Sequence, residues 1–126
     1  MDFSAVKVGR SDTTIVSLGA PVNTDKADAD FYIAPDESYM ILASPNRGGF
    51  GSGDLFVSYR SKDRRWTQPL NLGPAVNTPG WEWGPAVTPD GRYLIFSRMS
   101  SASDSASDRL YWVRIDHMLH SLRATP

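Results

Sequence analysis

Cysteine is absent from the 126 residues, which removes disulfide frameworks, thiolate zinc sites and cysteine nucleophiles at once. Charge of one sign is missing as well. Thirteen Lys and Arg stand against fourteen Asp and Glu, a net charge of −1, and this leaves no electrostatic reason to propose nucleic acid or an anionic membrane as partner. No apolar run approaches the ~20 residues a membrane helix needs. The opening Met1-Asp2-Phe3-Ser4-Ala5-Val6-Lys7 lacks the basic-then-apolar order of a secretory signal. Helical spacing of apolar residues is missing ahead of the C-terminus, which argues against helical repeats. No serine sits in a Gly-x-Ser-x-Gly elbow, and Gly48-Gly-Phe-Gly-Ser-Gly53 fits neither a P-loop nor a dinucleotide fingerprint.

What the chain does contain is repetition. Leu18-Gly-Ala-Pro-Val-Asn-Thr24 returns as Leu72-Gly-Pro-Ala-Val-Asn-Thr78, and Ala34-Pro-Asp-Glu-Ser-Tyr39 returns as Thr88-Pro-Asp-Gly-Arg-Tyr93. Leu18 to Leu72 and Pro35 to Pro89 are the same 54 residues apart. Two motifs recurring at one offset mark a tandem repeat. Within each copy, short β-prone runs alternate with Pro, Gly, Asn and Asp turns. Phe31-Tyr-Ile33, Tyr39-Met-Ile-Leu-Ala43, Asp54-Leu-Phe-Val-Ser-Tyr59 and Trp66–Leu72 read as four strands, the last an outer edge because Pro69 offers no N–H. The continuous apolar run 39–43 predicts a strand covered on both faces.

Four short antiparallel strands per repeat of about fifty residues predict propeller blades. The expected fold class is an all-β propeller fragment: about two four-stranded antiparallel blades plus an N-terminal partial blade. Residues 1–18 form the outer strands of a preceding blade, 28–72 a full blade, 82–116 an incomplete last blade, and 117–126 a tail that can form a short helix. The unfilled positions predict further blades, either from the missing part of a longer chain or from copies of this one assembling into a ring, such as a trimer.

Pro89-Asp90-Gly91 before an apolar strand, a glycine-rich loop into Asp54-Leu-Phe-Val-Ser-Tyr-Arg60, then Trp66-Thr-Gln-Pro-Leu-Asn-Leu-Gly-Pro74 and Val-Asn-Thr78, together resemble the TolB-type (WD-like) β-propeller repeat over roughly residues 13–115. Copy one departs from that pattern at Glu37, where copy two has Gly91. The resemblance implies a propeller at the periplasm or cell envelope, which would normally follow a signal peptide. It implies a non-catalytic module that presents loops and a channel mouth to a protein, peptide or glycan. The alternative is the propeller part of an enzyme, either a glycan-acting hydrolase or lyase or the gating propeller of a serine peptidase. No cofactor is expected.

Candidate site residues follow from the same alignment. Asp28 and Glu82 are equivalent at the 54-residue offset, each seven residues ahead of its turn proline. In a propeller they would stand near one channel mouth, where an acidic ring can hold a cation or an amine. The competing reading makes each carboxylate a cap for backbone N–H groups between blades. Trp81 and Trp83 flank Glu82, and aromatic faces beside an acid suit sugars or cations. If the strand starts at Trp83, Trp81 lies exposed in the loop and Trp83 packs between blades. Asp54 and Asp108 each stand just before a third strand, and Asp54 with the glycines of 48–53 reads as a structural turn rather than a metal or phosphate loop. His117 and His120 would share a helix face, without a further ligand nearby to complete a metal site. Ser61-Lys-Asp-Arg-Arg-Trp66 resembles the Asp-box hairpin of sialidase-type propellers, with Arg65 where the turn needs glycine, and reads as a solvated tip.

Overall fold

The structure is a computed structural model, and it describes residues 3–25, 28–45 and 47–124. The outer limits at Met1 and Pro126 and residue Asn46 of the glycine loop lie outside those residues. Nine strands form in chain order: β1 (Ser4–Val8), β2 (Thr13–Ser17), β3 (Phe31–Ile33), β4 (Tyr39–Ser44), β5 (Asp54–Tyr59), β6 (Leu70–Asn71), β7 (Trp81–Val87), β8 (Tyr93–Met99) and β9 (Arg109–Arg114). One helix, α1 (Asp116–Arg123), follows. The strands build three open antiparallel sheets, β1-β2, β3-β4-β5-β6 and β7-β8-β9. The fold is all-β apart from α1. Among the described residues no helix is long and apolar enough to cross a membrane.

Register repeats between the two larger sheets. Ile33 pairs with Met40 as Val87 pairs with Leu94, and Tyr32 with Ile41 as Ala86 with Ile95. Toward the other end of the first strand, Ala29 N–H donates to the Ala43 carbonyl at 3.0 Å, as Trp83 stands opposite Ser97. The register slips between Trp83 and Ala86, where Gly84 takes φ +60°. The turns leaving these strands also match. Glu37 N–H donates to the Ala34 carbonyl and Gly91 N–H to that of Thr88, both at 2.8 Å. Glu37 therefore adopts φ 57° where Gly91 adopts φ 72°; the departure in sequence is not a departure in backbone.

The expected fourth strand over 66–72 shortens to Leu70–Asn71, with Trp66 paired to Arg60 by an isolated bridge. Pro69 explains the interruption, because it cannot donate to the ladder.

The central sheet is covered on both faces, on one by the β7-β8-β9 sheet and on the other by the segments flanking the β1-β2 hairpin. Met40, Leu42 and Phe56 on one face of the central sheet pack with Phe3, Val22 and Trp66. The opposite face, with Ile41, Leu55, Val57 and Tyr59, packs against Val87, Leu94, Phe96 and Leu119. Strand β4 is thus buried on both faces, as its unbroken apolar run requires. Helix α1 turns Leu119 inward and closes one end of this second core, anchored by the Tyr59 hydroxyl donating to the Leu119 carbonyl at 2.6 Å.

Candidate functional site

The repeated Val-Asn-Thr segments hold their sheets through the asparagine. Asn77 Oδ1 accepts from Leu55 N–H at 2.8 Å, and its Nδ2 donates to the Leu55 carbonyl at 2.9 Å. Asn23 brackets Phe3 in the same way, at 2.6 and 2.7 Å. Both amides are buried; each gives a partner to the N–H at the entrance of a strand and adds a second donor to its carbonyl, which already accepts from Leu72 N–H or Leu18 N–H.

Beside each asparagine lies one of the candidate acids. Glu82 sits within β7 and is fully buried. Its Oε1 accepts from Arg98 Nε at 2.8 Å and from the Thr78 hydroxyl, and its Oε2 accepts from Thr78 N–H at 3.2 Å. Arg98 then donates to the Val76 carbonyl at 2.7 Å. Asp28, 3% exposed, accepts from Arg47 at 2.8 Å, and Arg47 reaches on to the carbonyls of Pro21 and Val22. Val22 and Val76 are equivalent positions, so the two copies make one device: a buried carboxylate, an arginine, and the valine carbonyl beside the asparagine. The pairs differ in completeness. Asp28 Oδ2 and Arg47 Nε are buried without a partner, whereas both Glu82 oxygens are engaged. A cation or amine at Glu82 would have to displace Arg98 from a site where breaking the pair costs about 3–5 kcal/mol.

Trp81 corrects the expectation of a loop residue, because β7 begins at Trp81 rather than Trp83. Its indole lies over Gly53, where an added Cβ would come within 2.8 Å of the ring. The cause is backbone pairing: Glu82 N–H donates to the Gly53 carbonyl at 2.8 Å and draws the strand start against the glycine loop. Trp81 and Trp83 are both half-buried, and alternation along a strand sends them to the face opposite Glu82. The aromatic–acid–aromatic triplet is therefore split across two faces and makes no single cage. Trp83 packs against the larger core, with its indole N–H buried and unpartnered.

The remaining candidates fall as follows. Asp54 caps the glycine loop, accepting from Phe50 N–H at 2.7 Å, Gly51 N–H at 3.1 Å and Asn71 Nδ2 at 2.8 Å. Asp108 is half-buried, with Oδ1 unpartnered. His117 and His120 stand exposed on α1, and among the described residues no group of three or more His, Asp or Glu could hold a metal ion. At the 61–65 tip the left-handed residue is Arg64, φ 64°, one place before Arg65.

Sequence reasoning missed Arg47 and Arg98, which are not aligned with each other: Arg98 is equivalent to Ser44 and Arg47 to Ser101. The available signal was a lone arginine at or just past the second strand of each copy, 19 and 16 residues after its acid. No protein-family model, curated protein or solved structure matches the chain.

Proposed function

We propose that this chain is a stretch of β-propeller, about two blades and part of a third, serving as a non-catalytic binding or scaffold module for a protein, peptide or glycan. One observation carries the reading most directly. Gly84 N–H lies 3.3 Å from Asp30 Oδ2, a contact between residues 54 apart and hence equivalent in the two copies. Neighbouring first strands that touch at equivalent positions are what radial repetition around a channel produces. The packing of the β7-β8-β9 sheet on the central one and the doubled asparagine and arginine devices support the same reading. A resemblance to TolB-type proteins adds the expectation of a cell-envelope or extracellular setting.

In this reading Asp28 and Glu82 are joints between blades, and the surface open to a ligand lies on the half-buried indoles of Trp81 and Trp83. The experiment is a peptide and glycan array probed with the labelled chain. Binding that falls in Trp81→Ala, with circular dichroism unchanged, is the expected result. Absence of any binder, or binders indifferent to Trp81 and to Glu82→Gln, overturns the proposal. Loss of binding in Glu82→Gln alone would return the acid to the role of ligand contact.

A further inference from the structure

A cavity of about 450 Å³ opens between the tip of the β5–β6 hairpin and the end of α1. Its lining includes Arg60, Lys62 and Arg123 and no acidic residue. Elsewhere five of the nine described cations pair with acids, and among the described residues Lys7, Arg10, Arg92 and Arg109 make no ion pair; what sets the cavity apart is three cations gathered on one lining without an acid. Arg47, Arg64, Arg65, Arg98 and Arg114 all pair with acids, whereas Arg60, Lys62 and Arg123 make no ion pair among the described residues.

Two of the three are held rather than free. The Arg60 guanidinium lies 4.7 Å from the centre of the Trp66 ring, and its Nε is buried without an acceptor. Arg123 lies 5.5 Å from the centre of the Tyr59 ring. Stacking on an aromatic face fixes a guanidinium while leaving its in-plane N–H groups for a planar acceptor. Asp63 binds Arg65 and Ser61; Asp36 accepts from Ser38 N–H at 3.0 Å and feels the Arg123 charge from outside the cavity lining. Tyr59, Leu70 and Leu122 supply apolar walls.

We propose that this cavity binds an organic carboxylate with a short apolar body, its carboxylate on Arg60 and Arg123 and its body against Leu70 and Leu122. Lys62 adds charge at the rim. The chemistry suits two sources, the free C-terminus of a peptide or a small free acid. Calorimetric titration of the full chain separates them with three probes: hexanoate, an N-acetylated dipeptide ending in leucine with a free carboxylate, and the same dipeptide as its C-terminal amide. Binding of either acid but not of the amide is expected, and which acid binds identifies the source. Arg60→Gln and Arg123→Gln should each weaken it by roughly tenfold to a hundredfold. Arg60→Lys, which keeps the charge and loses the planar fork, should fall between, and Arg92→Gln, outside the cavity, should change nothing. Failure of both acids to bind, equal binding of the amide, or a response to Arg92→Gln as large as to Arg60→Gln overturns the proposal. Circular dichroism of each variant confirms that a loss is not unfolding.

Discussion

Asn77 ties Leu55 and Asn71 together through one buried side chain. Removing its amide strands Leu55 N–H in the interior, while the Leu55 carbonyl keeps Leu72 N–H and Asn71 Oδ1 loses the Nδ2 donor at 2.8 Å. One buried donor left unmade costs about 1–3 kcal/mol and each of the two other lost hydrogen bonds about 1 kcal/mol, so Asn77→Ala should destabilise the chain by about 2–5 kcal/mol in urea unfolding. Asn23→Ala should instead loosen only the β1–β2 hairpin, visible as faster amide exchange there with a smaller change in the midpoint. Glu37 works in the other direction. A side chain in the left-handed region costs roughly 1–2 kcal/mol, partly offset by the backbone entropy glycine would add to the unfolded chain. Glu37→Gly should therefore raise stability by about 0.5–1 kcal/mol, less whatever its exposed contact with Arg64 contributes.

At the scale of elements, the docking of α1 depends on a phenol staying protonated. Burial pushes Tyr59 and Tyr39 up to about 12 from the usual 10. A raised value in the folded state means that the stabilisation is complete below pH 10 and is lost as pH rises toward 12. Ionised Tyr59 can no longer donate to the Leu119 carbonyl. Phenolate absorbance should accordingly show a late step near 12 from Tyr39 and Tyr59, together with loss of β-sheet ellipticity. Tyr59→Phe should lose about 1 kcal/mol at neutral pH, for the missing hydrogen bond, and should flatten the alkaline decline.

Viewed whole, the molecule ends on a face made for covering. By register, Ile95, Leu110 and Trp112 occupy the positions of Ile41, Leu55 and Val57: Ile95 pairs with Trp112 as Ile41 with Val57, and Ser97 with Leu110 as Ala43 with Leu55. The central-sheet residues are 0% exposed, while Ile95, Leu110 and Trp112 are 39%, 76% and 71% exposed. Val6 and Ile15 are likewise exposed on the β1–β2 hairpin at the other end of the stack. Contiguous apolar surface beside open strand edges drives association, and burying each large side chain gains about 1.5–3 kcal/mol. The purified chain should therefore self-associate in light scattering, as a closed trimer or as larger aggregates. Leu110→Lys with Trp112→Lys should shift it toward monomer without unfolding it. A wild-type monomer at high concentration would contradict this expectation.

The repeat, its 54-residue offset, the strand order and the short terminal helix could all be read from the sequence, because turn chemistry and apolar runs are local and each copy confirms the other. Asp28 and Glu82 were legible as equivalents for the same reason. Their environment was not. Whether an acid faces a channel or an arginine depends on which distant side chain arrives beside it, and Arg47 and Arg98 reach equivalent places from positions that do not align. The start of β7 was likewise set by Gly53, a residue of another sheet, whose carbonyl captures Glu82 N–H and carries Trp81 out of the expected loop. Local pattern determined the elements; only packing of one sheet on the next decided which polar groups were sealed between them and which described cations, Arg60 and Arg123 among them, were left without an ion pair.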